Sequence, residues 1–307
     1  MKRKYWFGLI GICAVLLVAI GLYVNRHTHT YGEEIPIGKG ANGYTFMKTC
    51  TDCGEETLVH YDALLTFVDD DAKMQAMLHW ERIIDETGIT MTAAVIPGKV
   101  PETTDYETWW AYAGWDLISR LQEKGVDLVN HTYGHNNLTK LTVEEIHKDL
   151  QKAKSALKNR GVESNILVYP NNAYNDDVIS AVDDYFDVAF ACKNEINTGT
   201  ISKNYVLRRM NINDKSVSKV IAFDAERIVE CYGIKPVEKL KEDMNKALKV
   251  NGWLVYMVHA YDSPGGQYFF DEESEETIIS FCKYVQTLEN VKIVNLTQGI
   301  AASAAIQ

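Results

Sequence analysis

The chain has 307 residues, 46% of them apolar and 24% charged, with 31 basic against 42 acidic side chains. That length and composition allow one large domain or two small ones with an ample core, and they exclude a collagen, a disulfide-dense miniprotein and a wholly disordered chain. The charge is unevenly placed: residues 1–30 carry Lys2, Arg3, Lys4 and Arg26 and no acid, while the remainder holds 27 basic and 42 acidic side chains, a formal −15 that makes it a poor candidate for nucleic-acid binding, which needs a basic face.

Lys2-Arg3-Lys4 precedes an uncharged run from Tyr5 to Val24. Twenty residues at 1.5 Å each make a helix of roughly 30 Å, enough to cross a bilayer core. A cleavable signal has a shorter apolar stretch and a small-x-small cleavage site. Neither Gly21-Leu22-Tyr23 nor Tyr23-Val24-Asn25 fits one, and Ile12 before Cys13 is no lipoprotein site. Residues 1–24 are therefore predicted to be a basic cytoplasmic head and a single-pass transmembrane helix acting as a signal anchor. The rest would lie outside the cell membrane, or be secreted if the signal is cleaved.

Outside a membrane disulfides are tolerated, but Cys50, Cys53, Cys192, Cys231 and Cys282 cannot all pair within one chain. Cys50-Thr-Asp-Cys53 has the spacing of a zinc knuckle, yet no second Cys/His pair follows at a suitable distance. A local disulfide or two thiols is expected there ahead of a metal site.

Residues 25–58, with Gly32, Gly38, Gly40 and Gly43 and little periodicity, are predicted to be a stalk and lead-in. From residue 59 to 307 short apolar runs alternate with longer amphipathic ones, the rhythm of βα units around a parallel sheet. Strands are predicted at 63–68, 91–96, 126–131, 166–170, 187–192, 205–212, 253–259 and 291–296. Helices are predicted near 73–87, 109–124, 142–160, 175–184, 236–250 and 271–289, and Thr142-Val-Glu-Glu145 is a capping box for the longest. Seven or eight such units over about 240 residues give an α/β fold of the size of a (β/α) barrel. An open doubly wound sheet has the same rhythm. Residues 213–235 fit neither period and are left as an insertion or edge element.

Polar residues gather where the predicted strands end, which is where parallel α/β folds place their chemistry. The first strand ends in Asp69-Asp70-Asp71, the third in His131-Thr-Tyr-Gly-His135, the fourth in Tyr169-Pro-Asn-Asn172 and the late strand 253–259 in His259. Singly, each has an ordinary explanation: a solvated turn, an incidental pair, a strand stop, a satisfied core histidine. Jointly they do not, because independent accidents would not all fall just past strands. Two imidazoles four residues apart with one carboxylate make three metal ligands and leave open positions. Adjacent carboxylates leave one to bind the metal and one to act as a base.

These residues resemble a known family. Asn130-His-Thr-Tyr-Gly-His-Asn-Asn-Leu138 resembles the His-Ser/Thr-x-x-His motif of the polysaccharide deacetylases, the NodB-homology carbohydrate esterases. Thr66-Phe-Val-Asp-Asp-Asp71 resembles their first motif, Tyr169-Pro-Asn-Asn-Ala-Tyr-Asn175 the third, and Leu254-Val-Tyr-Met-Val-His259 the late strand ending in histidine. The resemblance implies a distorted (β/α) barrel behind the anchor helix and hydrolysis of N-acetyl groups from an amino-sugar polymer. It implies one divalent metal, zinc first with cobalt, nickel or manganese as alternatives, held by Asp71, His131 and His135. It implies Asp70 as base, His259 as general acid and the backbone N–H at Asn171 as oxyanion donor. A register shift by one would make Asp69 and Asp70 the base and the ligand. The chain departs from the family where Ala72 replaces Gly, Asp69 replaces an aromatic residue, and no Arg precedes Tyr169. That Arg orients the base in the family, and Arg209 is the candidate substitute. Trp109, Trp110, Trp115, Tyr261 and Tyr268 are candidates to line a sugar groove, with core packing favoured for the tryptophans and Tyr261 the better contact. The competing expectations are a metal-poor, anchored glycan-binding module of the same fold, and iron–oxygen chemistry on the two-His-one-carboxylate set. A paired-carboxylate glycosidase is weaker, because neighbouring residues cannot flank a bond from opposite sides.

Overall fold

The computed structural model describes residues 29–108, 111–222, 228–260 and 268–306. The predicted anchor at 1–24 lies outside them, as do Trp109, Trp110 and Tyr261. Among the described residues no helix is long and apolar enough to cross a membrane. The chain divides into two compact units, a small one ending at Ile35 and resuming over Met47–Val59, and a large one of Pro36–Phe46 and His60–Gln307.

The stretch expected as a stalk is built from strands. β1 (Ile35–Gly40), β2 (Gly43–Thr49) and β3 (Glu56–Tyr61) form a sheet in that order. The exposed and half-buried residues of β3 alternate in the period of a one-sided strand, a signal too short to stand out among the glycines.

In the large unit seven parallel strands close on themselves. They are β4 (Ala63–Asp70), β5 (Thr92–Val95), β6 (Asp127–Asn130), β7 (Ile166–Val168), β8 (Val188–Cys192), β9 (Asn204–Asn211) and, after an intervening hairpin, β12 (Trp253–His259). Closure is made by β12 against β4, in register from Trp253↔Leu64 to His259↔Asp70. The predicted eighth strand, β13 (Val291–Ile293), does not enter the ring. It pairs with Ala63–Leu65 at the start of β4, on the edge that higher up belongs to β5. The fold is thus a seven-stranded barrel, and the open sheet is excluded. Within 213–235, β10 (Asn213–Ala222) and β11 (Ile228–Ile234) pair antiparallel, an insertion ahead of the helix at Val237–Lys249 that leads to β12.

The helices are α1 (Met74–Thr87), α2 (Trp115–Glu123), α3 (Val143–Lys158), α4 (Asp176–Asp183), α5 (Val237–Lys249), α6 (Glu272–Gln286) and α7 (Leu296–Ser303). In α1 the buried residues Met77, Trp80, Ile83 and Ile84 recur at three- and four-residue spacing, so one stripe faces the strands. The helix ends at Gly88, whose φ of 67° suits the left-handed cap. The predicted capping box of α3 is formed, with Glu145 N donating to Thr142 Oγ1 and Thr142 N donating to the Glu145 carboxylate. The helix expected from 109 begins only at Trp115, because Gly114 is extended and lies too close to Thr104 N to carry a side chain. α7 has no counterpart among the predicted helices. Its cap is Asn295, and its Gly299 lies against the Trp253 ring at the N-terminal end of the barrel.

Candidate active site and metal centre

Alternation along the strands decides which polar residues meet. Leu64, Val68, Ala94, Val129, Val168, Phe190, Leu207 and Val255 pack together as the barrel interior. Leu65, Phe67, Ala93, Leu128, Leu254 and Tyr256 pack outward with residues of the surrounding helices. Carrying the period of two onward places Asp70, His131, Arg209 and His259 inside, at the C-terminal rim. Asp69 falls on the outer face behind Phe67 and accepts from Trp80 Nε1 of α1 at 3.0 Å. Complete burial pushes its carboxyl well above the usual range.

Beyond the strand, Asp71 and Ala72 take left-handed φ of 76° and 53°. Such a backbone costs an L-residue about 1–2 kcal/mol, and Ala72 stands where the resemblance puts Gly. The bend swings Asp71 over the barrel mouth, with its N–H on Ala94 O at 3.1 Å. Asp71 Oδ1 then lies 3.5 Å from His131 Nε2 and 3.3 Å from His135 Nε2, and Oδ2 lies 3.5 Å from His259 Nε2. Burial opposes ionisation of Asp71, but the imidazoles of His259, His131 and His135 and the Lys73 ammonium outweigh it and hold the carboxyl below its ordinary value.

The two motif histidines are held by different devices. His131 Nδ1 faces Val168 O at 2.8 Å. A carbonyl only accepts, so Nδ1 carries a proton and Nε2 is the ring nitrogen turned to Asp71. His135 follows a loop in which Thr132 and His135 both have positive φ. Asn130 Oδ1 accepts from Thr132 N at 2.8 Å, and Thr132 Oγ1 accepts from His135 N at 3.1 Å. Asp149, projecting from α3, accepts from Tyr133 N at 2.7 Å, Gly134 N at 3.3 Å and Asn136 Nδ2 at 3.2 Å. Burial, with His131 adding to it, pushes the His135 imidazole down to about 4, so it is neutral and able to ligate at neutral pH.

Asp71, His131 and His135 bring one ligand atom each within 4.8 Å of the others. Asp71 Oδ1, buried at the centre of the group, makes no hydrogen bond among the described residues. A buried carboxylate oxygen left without a donor beside two imidazole Nε2 atoms fits a divalent cation.

Asp70 does not join this group. Arg209 NH1 and NH2 of β9 donate to its two oxygens at 2.5 and 3.1 Å, with Arg209 only 1% exposed and Asp70 4%. Asn171 sits at the rim beyond β7 in a 3-10 turn, at a left-handed φ of 53°. His259 Nδ1 faces Ala260 O at 2.8 Å, which leaves Nε2 toward the centre, and the Tyr268 ring stands 5.9 Å away. Trp115 is buried at the start of α2 and packs in the core. Two contributors escaped sequence reasoning: Asp149, which reads as one more polar residue of the amphipathic α3, and Trp80, which reads as part of the apolar stripe of α1.

Residues 61–185 match the family model for polysaccharide deacetylase. The matched segment holds Asp70, Asp71, His131, His135 and Asn171, and Arg209 and His259 lie beyond it. Among curated proteins none matches the sequence. A protein of Mycobacterium smegmatis classed with the polysaccharide deacetylases has the same fold, at 13% identity over 79% of this chain and 90% of that one, with a TM-score of 0.56. Also similar are the Xyl-CE4 domain of a multidomain xylanase from the hindgut metagenome of Trinervitermes trinervoides (15% identity, 78% and 89% covered, TM-score 0.48) and a family 4 carbohydrate esterase from Streptomyces lividans in complex with acetate (11%, 80% and 100%, 0.45).

Proposed function

We propose that the chain is a metal-dependent hydrolase that removes N-acetyl groups from an amino-sugar polymer at the cell envelope. The observation that carries the proposal is the division of labour between adjacent carboxylates: Asp71 faces the Nε2 atoms of His131, His135 and His259, while Asp70 is held apart by Arg209.

Asp71, His131 and His135 would hold the cation, zinc being the first candidate for a site of two imidazoles and a carboxylate. When bound, such a cation polarises the acetamide carbonyl and acidifies water. Asp70 accepts the proton of the attacking water. The two Arg209 donors keep its oxygens pointed at the rim and its charge compensated in a buried place. The N–H of Asn171 donates to the oxygen on which charge develops, and the left-handed turn fixes that peptide at the rim. His259, with Nδ1 committed to Ala260 O, takes up and delivers a proton through Nε2 alone. Amines leave poorly without that proton, so an acid is needed beside the base. The uncharged run 5–24 behind Lys2-Arg3-Lys4 would tether the domain to the membrane with its barrel outside.

The test is metal analysis of the full chain together with acetate release from a panel of acetylated glucosamine oligomers and peptidoglycan fragments. Asp70→Asn and His259→Ala are expected to keep the metal and lose acetate release, and His131→Ala to lose both. Equal activity of the three variants, or one metal per chain with no acetate from any glycan, overturns the proposal; the second outcome favours a glycan-binding module.

A further inference from the structure

The small unit carries a second set of metal-ligand side chains, none of them shared with the group around Asp71. The turn between β2 and β3 is Cys50-Thr-Asp-Cys53-Gly54. Cys50 N donates to Glu55 O at 2.8 Å, Gly54 N donates to Cys50 O at 2.9 Å, and Gly54 has a φ of 74°. This tight knuckle needs a glycine and turns both sulfurs to one side. Residues before β1 lie along it: Thr51 N donates to Thr30 O at 2.8 Å, Gly32 N donates to Thr49 O at 3.1 Å, and Tyr31 bridges Cys50 in antiparallel sense. That pairing delivers His29 from upstream to the knuckle.

His29, Cys50 and Cys53 place one ligand atom each within 4.8 Å of the others. His29 Nδ1 is 3.4 Å from Cys53 Sγ. A tetrahedral ion with Zn–S near 2.3 Å and Zn–N near 2.0 Å would set its nitrogen and sulfur about 3.5 Å apart. The other ring nitrogen, Nε2, lies 3.4 Å from Glu55 Oε2. One nitrogen toward a ligand cluster and the other toward a carboxylate is how metal-bound histidines are oriented. Among the described residues of the unit only Cys50 is buried. Segments with so little burial are the ones that gain most from a metal or cross-link. A Cys50–Cys53 disulfide would close too short a loop to restrict the unfolded chain much, and would use neither His29 nor Glu55.

We propose that His29, Cys50 and Cys53 form a metal centre for a thiophilic divalent cation such as zinc, with Glu55 positioning the His29 ring and a fourth position left to solvent. On binding, each thiol that ligates gives up its proton to solvent, and the new bonds run from two thiolate sulfurs and one imidazole nitrogen to the ion. The centre fastens the chain segment at residues 29–32 to the β2–β3 turn.

Cobalt titration of the reduced full chain tests this, because thiolate–cobalt charge transfer absorbs in the near ultraviolet and the Asp71–His131–His135 group has no sulfur. The expected result is two cobalt ions per chain, one of them with that band. Cys53→Ser, at an exposed position, removes the band and one cobalt; Glu55→Gln keeps the band and weakens binding about 10–100-fold, and His29→Gln keeps the band and weakens binding further. Asp71→Asn removes the other cobalt and leaves the band intact. Absence of the band in the reduced chain, unchanged affinity in His29→Gln, or isolation of the zinc-supplied chain with a Cys50–Cys53 disulfide in place of the metal overturns the proposal.

Discussion

The ion pair inside the barrel allows a quantitative test of the site. Arg209 NH1 and NH2 both donate to Asp70, the residues are 1% and 4% exposed, and Arg209 Nε makes no hydrogen bond among the described residues. The guanidinium therefore depends on Asp70 for its charge compensation. Arg209→Met leaves a carboxylate buried without its partner, and Asp70→Asn leaves a buried guanidinium. Either loss is expected to cost about 3–5 kcal/mol, whereas replacing both charged groups together is often nearly neutral. For a domain of this size each kcal/mol moves the midpoint by roughly 2–4 °C, so each single variant should melt roughly 6–20 °C below the parent. The double variant should recover most of that, giving a coupling energy of about 3 kcal/mol or more in a double-mutant cycle. Thermal melts of the EDTA-treated chain, followed by circular dichroism, provide the measurement. Additive losses, with a coupling below about 0.5 kcal/mol, would mean that the pair is not formed as described.

Three further outcomes rest on particular contacts. Asp149→Ala removes the acceptor for Tyr133 N, Gly134 N and Asn136 Nδ2, so metal affinity at the Asp71 group should fall about 10–100-fold in chelator competition, with the fold retained. Gly299→Ala would put a Cβ 2.2 Å from the Trp253 ring, and such overpacking should cost about 1–3 kcal/mol in denaturant unfolding; no change would mean that α7 can lift away from the barrel. Asp243 accepts from Lys235 Nζ and Lys246 Nζ, each at 2.8 Å, and from Tyr256 OH at 3.2 Å. Burial works against its charge, but the two ammonium groups prevail and hold its carboxyl below the ordinary value. A lowered folded-state value stabilises fully above the unfolded value of about 3.9 and is lost as the pH falls through the folded one. Asp243→Asn should thus be clearly less stable than the parent at neutral pH, with the gap closing below about pH 4; a gap that stays constant with pH would remove the ion pairs as its cause.

The strands and most helices are legible in the sequence because each carries its period over enough residues, and the rim is legible because polar residues cluster where those periods stop. Other features depend on neighbours distant in sequence. Every residue of β4 from Ala63 to Asp70 is buried, so the sequence has no polar face by which to tell inward from outward, and only closure of the barrel fixes the Asp69–Asp71 register. β13 reads as one more strand because pairing position leaves no trace in composition. Downstream of Cys50 and Cys53 the sequence offers no partner pair, whereas His29 approaches them from upstream across a sheet-like pairing. Asp149 is hidden because its task is to satisfy loop amides, which any polar residue on that helical face resembles.

The run Asp69-Asp70-Asp71 also explains how the site tolerates so much like charge. Three neighbouring carboxylates in a buried place would repel one another and each lose its hydration. The strand period sends Asp69 outward to Trp80 and Asp70 inward to Arg209, and the left-handed bend at Asp71 and Ala72 carries the third over the rim to the imidazoles. Each carboxyl thus meets a different partner: an indole N–H, a guanidinium, and a cluster of ring nitrogens. The absence of an Arg before Tyr169 is compatible with this division, because in a closed barrel the place that compensates Asp70 is defined by the interior and not by one motif. Leu207 and Arg209 point into the same barrel, and a side chain as long as arginine reaches the carboxylate from β9, with β12 standing between β9 and β4 in the ring. Moving the guanidinium to another inward position at the rim, in the Arg209→Met background, should therefore restore stability wherever the reach permits a two-pronged contact with Asp70.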